Sequence, residues 1–128
     1  MRGALPYVLV GVGGFLGANA RFVLARWVGA LVDTRFPLGT LVVNVSGCFA
    51  LGVLAPLALT RLVAHSDEVR LAVGVGFLGA FTTFSTFIFE TGGFLRAEQW
   101  VLATGNVVLH VVVGIVSFFG GVLLVRVL

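Results

Sequence analysis

The chain has 128 residues, of which 59% are hydrophobic and only 10% charged, and its mean hydropathy is +1.17. A water-facing surface needs roughly a quarter charged residues, so a soluble globular domain is excluded and lipid is the outer solvent. The formal charge of +3 comes from arginines scattered singly, which excludes a clustered nucleic-acid footprint and suits anchoring at membrane interfaces.

Four charge-free runs, residues 3–20, 36–60, 71–89 and 99–125, approach or exceed the roughly 20 residues that cross a ~30 Å hydrocarbon core. The expected fold is all-α, a single four-helix transmembrane domain over residues 1–128, with spans at about 4–31, 37–62, 70–95 and 98–126. In the first run, Arg2, the apolar stretch from Tyr7 to Ala18, and Ala18-Asn19-Ala20 imitate a secretory signal with its cleavage site. The hydrophobic pattern nevertheless continues past Arg21 through FVLARWVGALV, as a retained helix does. Gly13-x-x-x-Gly17 offers a small-residue face for close helix packing without naming the partner. Gly11-Val12-Gly13-Gly14 is not a phosphate loop, because no Gly-Lys-Ser/Thr follows it.

The second run carries Asn44 and Ser46 at membrane depth, and the single cysteine, Cys48, which reads as a small packing residue. The third run is the unusual one. GAFTTFSTF, residues 79–87, sets four hydroxyls (Thr82, Thr83, Ser85, Thr86) among three phenylalanines. One such hydroxyl can bond back to its own helix, but four in five positions exceed that need. Gly79 and the threonines are weak helix formers, so the third helix is expected to break near 79–83 and free carbonyls that need partners. Unwound backbone at this depth must be buried in protein or line a cavity, and a bound cation is one partner for it.

Phe84 and Phe87 project from one side of the helix that follows. They are either ordinary packing residues or ring edges facing an anion. Asn44 would add an amide donor, and Glu90 is the nearest carboxylate, so donors and ring edges favour an anion pathway slightly over a cation pathway. The fourth run adds Asn106 and His110, and Gly120-Gly121 near its end. His65 falls in a loop beside Asp67 and Glu68. No metal-ligand spacing and no nucleophile motif occur, so an enzyme is not expected.

With four spans, Arg2, Arg61, Arg70 and Arg126 share one side of the membrane, while Arg26, Arg35 and Arg96, with Arg21 if it reaches that interface, share the other. Orientation follows arginine excess, and here there is almost none. Either a small bias is hidden, or the chain inserts both ways and opposed copies pair.

Three motifs carry a resemblance. GGFLGANARF (13–22), TLVVNVSGCFALG (40–52) and, most specifically, GFLGAFTTFSTFIFE (76–90) stand in order and spacing similar to those of the Fluc (CrcB) family of fluoride channels. The likeness covers the whole chain, and its first motif spans the supposed cleavage site. It implies an antiparallel, dual-topology homodimer in the cell (inner) membrane, with two fluoride pores, that exports cytoplasmic fluoride passively. The fluoride-path residues carry over to Asn44, Phe84, Phe87, Ser85, Thr86 and Thr40, the vestibule arginine to Arg21 and the acid to Glu90. A structural sodium at the dimer axis would be held by the main-chain carbonyls of Gly79 and Thr82. Two departures stand out: Ala80 replaces a glycine common in relatives, and Asn106 and His110 stand where relatives often carry Tyr and Ser.

The rival readings are a small dual-topology multidrug-type exporter, a proton-coupled fluoride exporter titrating Glu90 or His110, and a non-transporting assembly factor. The first needs a carboxylate in the first helix, and residues 3–20 contain none.

Overall fold

A computed structural model describes residues 3–60 and 66–127, and every regular element among them is helical. Arg2, Arg61 and His65 lie outside the described residues. Helix α1 (Leu5–Leu31) begins with a proline in its first turn, where a missing N–H costs nothing, and ends as Val32 turns extended. A short linker follows, in which Phe36 N–H donates to Thr34 Oγ1 at 3.1 Å, and Pro37 leads into α2 (Leu38–Thr60).

The third span is in two pieces. Ser66–Val69, Arg70–Leu78 and Gly79–Phe81 run on as one helix, α3, and α4 (Phe84–Arg96) resumes after two extended residues. From Arg70 to Leu78, α3 is wound as a π-helix, and the Gly79 N–H reaches back five residues to the Gly74 carbonyl. A tight turn with Glu98 in the left-handed region (φ 57°) joins α4 to α5 (Trp100–Val127). Helices α1, α2, α3 with α4, and α5 thus give four segments long and apolar enough to cross a membrane.

Packing follows small residues. Helix α5 lies chiefly along α2, and α1 along α3. A Cβ on Gly17 would overlap the Phe77 carbonyl of α3, and one on Gly52 the Phe118 carbonyl of α5. Both glycines exist so that backbones touch, which is how helices gain dispersion energy where lipid cancels the hydrophobic drive. The Gly13-x-x-x-Gly17 face is therefore spent inside the chain, against α3. Ser117 Oγ adds a 3.0 Å hydrogen bond to the Val45 carbonyl across the α2–α5 seam.

The interior is thin. Val43 and Asn106 are the only described side chains less than 2% exposed among the larger residues, while Phe15, Phe84, Val101 and Val116 stand well over half exposed. Side chains this apolar face outward only toward lipid or another protein surface.

Candidate functional site

Two consecutive threonines make the break. Thr82 (φ −79°, ψ 156°) and Thr83 (φ −147°, ψ 111°) are both extended, the conformation their branched Cβ favours. The interruption falls within the expected window 79–83, but Gly79 itself stays helical (φ −63°, ψ −35°). The cause is the threonine pair and its partner on α2. Asn44 Oδ1 accepts from the Thr83 N–H at 2.8 Å, and Asn44 Nδ2 donates to the Thr83 carbonyl at 3.0 Å. One side-chain amide thereby does for Thr83 what a neighbouring strand would do, and both its backbone groups are satisfied at membrane depth.

Hydroxyls close both flanks. Thr82 Oγ1 donates to the Leu78 carbonyl at 2.9 Å and ends α3. Thr83 Oγ1 accepts from the Thr86 N–H at 3.2 Å, capping α4, and donates to Thr86 Oγ1 at 2.9 Å. Ser85 Oγ lies 3.4 Å from Thr83 Oγ1. Because the Thr83 N–H is taken by Asn44, the Gly79 carbonyl lacks its usual donor four residues on. Thr83 is a central residue that sequence reasoning left out of the site. Its signal was present as a helix N-cap threonine at the head of TFST.

Two cavities meet here, and Thr83 borders both. The first, of about 510 Å³, is lined by Arg21, Arg26, Thr40, Thr83, Thr86 and Glu90 among others. Within it Thr40 Oγ1 donates to Glu90 Oε1 at 2.6 Å, a short charge-assisted bond, while Glu90 Oε2 is buried without a partner. Arg21 reaches the Thr82 carbonyl with Nη1 at 3.4 Å. The second, of about 400 Å³, is bordered by Asn44, Cys48, Thr82, Phe84, Phe87 and His110 among others.

The two phenylalanines differ sharply. Phe87 is 6% exposed and Phe84 75%, with ring centroids 5.5 Å apart and planes tilted by 49°. Behind Phe87 runs a buried polar chain. Thr91 Oγ1 donates to the Phe87 carbonyl at 2.8 Å, Asn106 Nδ2 donates to Thr91 Oγ1 at 2.9 Å, and His110 Nδ1 lies 2.9 Å from the Asn106 carbonyl. The His110 ring packs on Phe87 with centroids 4.5 Å apart.

Of the residues expected at the site, Asn44, Thr86, Thr40, Glu90, Arg21, Thr82, Phe84 and Phe87 gather around the break and its two cavities. Gly79 borders the second cavity. Ser85 is exposed, borders neither cavity and lies 3.4 Å from the Thr83 hydroxyl. Ser46 bonds back to the Val43 carbonyl at 3.0 Å and takes no part.

Known proteins place this arrangement. The family described as CrcB-like protein, Camphor Resistance (CrcB), matches residues 8–122. The chain is 45% identical over 120 residues to a protein of Desulforapulum autotrophicum named fluoride-specific ion channel FluC, covering 94% of this chain and 95% of that one. It is 43% identical over 122 residues to the protein of that name from Solibacter usitatus, covering 95% and 99%. With the FluC protein of Geobacter metallireducens it shares 40% over 122 residues, covering 95% and 98%. A match over nearly the whole chain, with the braced break at its centre, makes this protein a member of the CrcB family.

Proposed function

We propose that the chain is a fluoride-selective channel that lets cytoplasmic fluoride leave passively, working as an antiparallel homodimer with two pores. The observation that carries the reading is the Asn44-braced break. It sets hydroxyls and phenylalanine rings beside two cavities, in a chain whose relatives over nearly all of its length are named fluoride-specific ion channels.

The chemistry suits a small, strongly hydrated anion. Hydroxyl donors (Ser85, Thr86), the second N–H of the Asn44 amide and the positive edges of Phe84 and Phe87 each replace a little of its hydration, while the Thr40 hydroxyl spends its proton on Glu90. Many weak ligands in series allow entry and exit, whereas one tight site would trap the ion. Arg21 and Arg26, bordering the first cavity, draw anions toward it, and Glu90 is tethered by Thr40.

A second copy is supported by what a lone chain leaves uncovered. Ser85 and Thr86 are exposed beside the break together with Phe84, and the two hydroxyls are costly against lipid. The near-equal arginine count on the two sides fits insertion in both orientations. Opposed copies would bring two breaks face to face. There the carbonyls of Gly79 and Thr82 would hold a sodium ion that ties the copies together. No group of three His, Cys, Asp or Glu side chains able to hold a metal occurs among the described residues, so a cation at this place would rest on backbone oxygens. The Gly79 carbonyl, deprived of its helical donor, fits that role well. The Thr82 carbonyl fits it less tightly, because it already accepts from Arg21.

The test is fluoride efflux from liposomes carrying the purified protein, read by an ion-selective electrode with chloride as control. Rapid loss of fluoride without loss of chloride is expected, and abolished by Phe84→Ile. A folded sample that passes neither ion would overturn the proposal. Flux driven only by a proton gradient would transfer it to a coupled exporter.

A further inference from the structure

Among the described residues, three buried side-chain polar atoms have no hydrogen-bond partner: Glu90 Oε2, Asn106 Oδ1 and His110 Nε2. His110 packs on Phe87, Glu90 lies one turn further along the same helix, and Asn106 joins the Thr91 hydroxyl that bonds the Phe87 carbonyl. Orphans of this kind are rare in folded proteins and call for a reason.

Their protonation logic is constrained. Thr91 Oγ1 spends its proton on the Phe87 carbonyl, so it accepts from Asn106, and this fixes which end of the Asn106 amide is Nδ2. His110 Nδ1 faces the Asn106 main-chain carbonyl, which only accepts, so Nδ1 carries a proton. In the neutral ring Nε2 is then a bare acceptor. With Glu90 Oε2 and Asn106 Oδ1 it makes three buried acceptors and no donor. A proton on Nε2 turns one of them into a donor.

We propose that His110 is a positioning residue for Phe87, and that its charge state sets how strongly the Phe87 edge attracts an anion. This rests on the reading of Phe87 as part of the fluoride path. The Asn106 main-chain carbonyl, one turn back on the same helix, holds the imidazole by Nδ1, and the ring rests tilted by 41° on the phenyl ring, 4.5 Å between centroids. Thr91 and the Asn106 side chain tie the Phe87 turn to α5. An imidazolium there is drawn to the negative face of the ring and leaves the positive edge more exposed to an anion. It also offsets the Glu90 carboxylate, which lies within electrostatic reach of His110 and otherwise repels anions. The other titratable group facing the same cavity is Cys48 on α2. From α1, Arg21 and Arg26 border the neighbouring cavity and face Glu90.

Fluoride efflux from liposomes at about pH 8 and about pH 5.5 tests the proposal against protein-free liposomes that report leakage of undissociated acid. The unaltered channel is expected to pass fluoride about threefold faster at the lower pH, the scale of a modest cation–ring interaction. His110→Phe keeps a ring against Phe87 but cannot take a proton, and should show no such rise. Thr91→Val should lower flux at both pH values and keep the rise. Efflux by the unaltered channel that does not change with pH would overturn the proposal and leave the channel reading standing. So would a full rise in His110→Phe. No fluoride-specific efflux at either pH would sink both.

Discussion

Two regions of this molecule solve the same problem in opposite ways. Along the α2–α5 seam both helices run without an extended interruption, Pro56 removing a single N–H from α2, so the backbone is largely satisfied within each helix and the seam needs chiefly shape. Gly52 and Gly121 let the two backbones touch, and Ser117 adds one hydrogen bond. At the break between α3 and α4 the backbone is opened, and side chains must supply what the helix gave up. Asn44 takes both groups of Thr83, Thr82 caps α3 and Thr83 caps α4. Polar side chains are therefore concentrated where the backbone is irregular. That concentration is what leaves hydroxyls and an amide available to an ion.

The contrast can be broken most severely at Asn44. Asn44→Leu leaves the Thr83 N–H and carbonyl unpaired at membrane depth, a loss of about 2–6 kcal/mol for the two groups together. Fluoride efflux should fall at least about thirtyfold on that scale, and the detergent-solubilised protein should melt earlier. Wild-type efflux from this variant would mean that the brace is dispensable.

Gly52→Val attacks the seam instead. Its side chain would overlap the Phe118 carbonyl, and overpacking of this kind costs about 1–3 kcal/mol. The expected result is a lower melting temperature with efflux per folded protein little changed, because the break is untouched. A selective loss of efflux at full stability would show that the seam shapes the pore.

Thr40→Val removes the donor to Glu90 Oε1 and leaves the carboxylate with no described hydrogen-bond partner. A bond to a charged group contributes about 1.5–3 kcal/mol, so a clear drop in melting temperature and a change in efflux of several-fold or more are expected. Glu90→Gln keeps an acceptor for Thr40 and should retain the stability that Thr40→Val loses.

Ser117→Ala on the seam should cost only about 0.5–1.5 kcal/mol and leave efflux unchanged, since the Val45 carbonyl sits within an intact helix. Smallest of all is Arg70→Ala. The Arg70–Asp67 pair is 3.9 Å apart with side chains 64% and 71% exposed, and its loss should pass unnoticed in both stability and flux.

What the sequence determined by itself is what depends on solvent and local conformation. Charge-free runs of spanning length gave the helices, because a lipid core admits no other use for them. Gly79 and the threonines placed the break in the window 79–83, and the branched threonines at its end, which disfavour a continuous turn, are where it falls. The site residues on α4 were legible for the same reason. The tertiary structure decided the pairings. The partner of Gly13 and Gly17 proved to be α3, and small-residue spacing carries no information about which surface it meets. Asn44 was visible as a lone polar residue, but its use of both amide ends on Thr83 depends on α2 and the break lying side by side, 39 positions apart in sequence. The Thr91–Asn106–His110 relay behind Phe87 was not legible at all. Thr91 gave no signal, Asn106 and His110 stood as separate polar residues of the fourth run, and only the packing of α5 against α4 joined the Asn106 amide to the Thr91 hydroxyl.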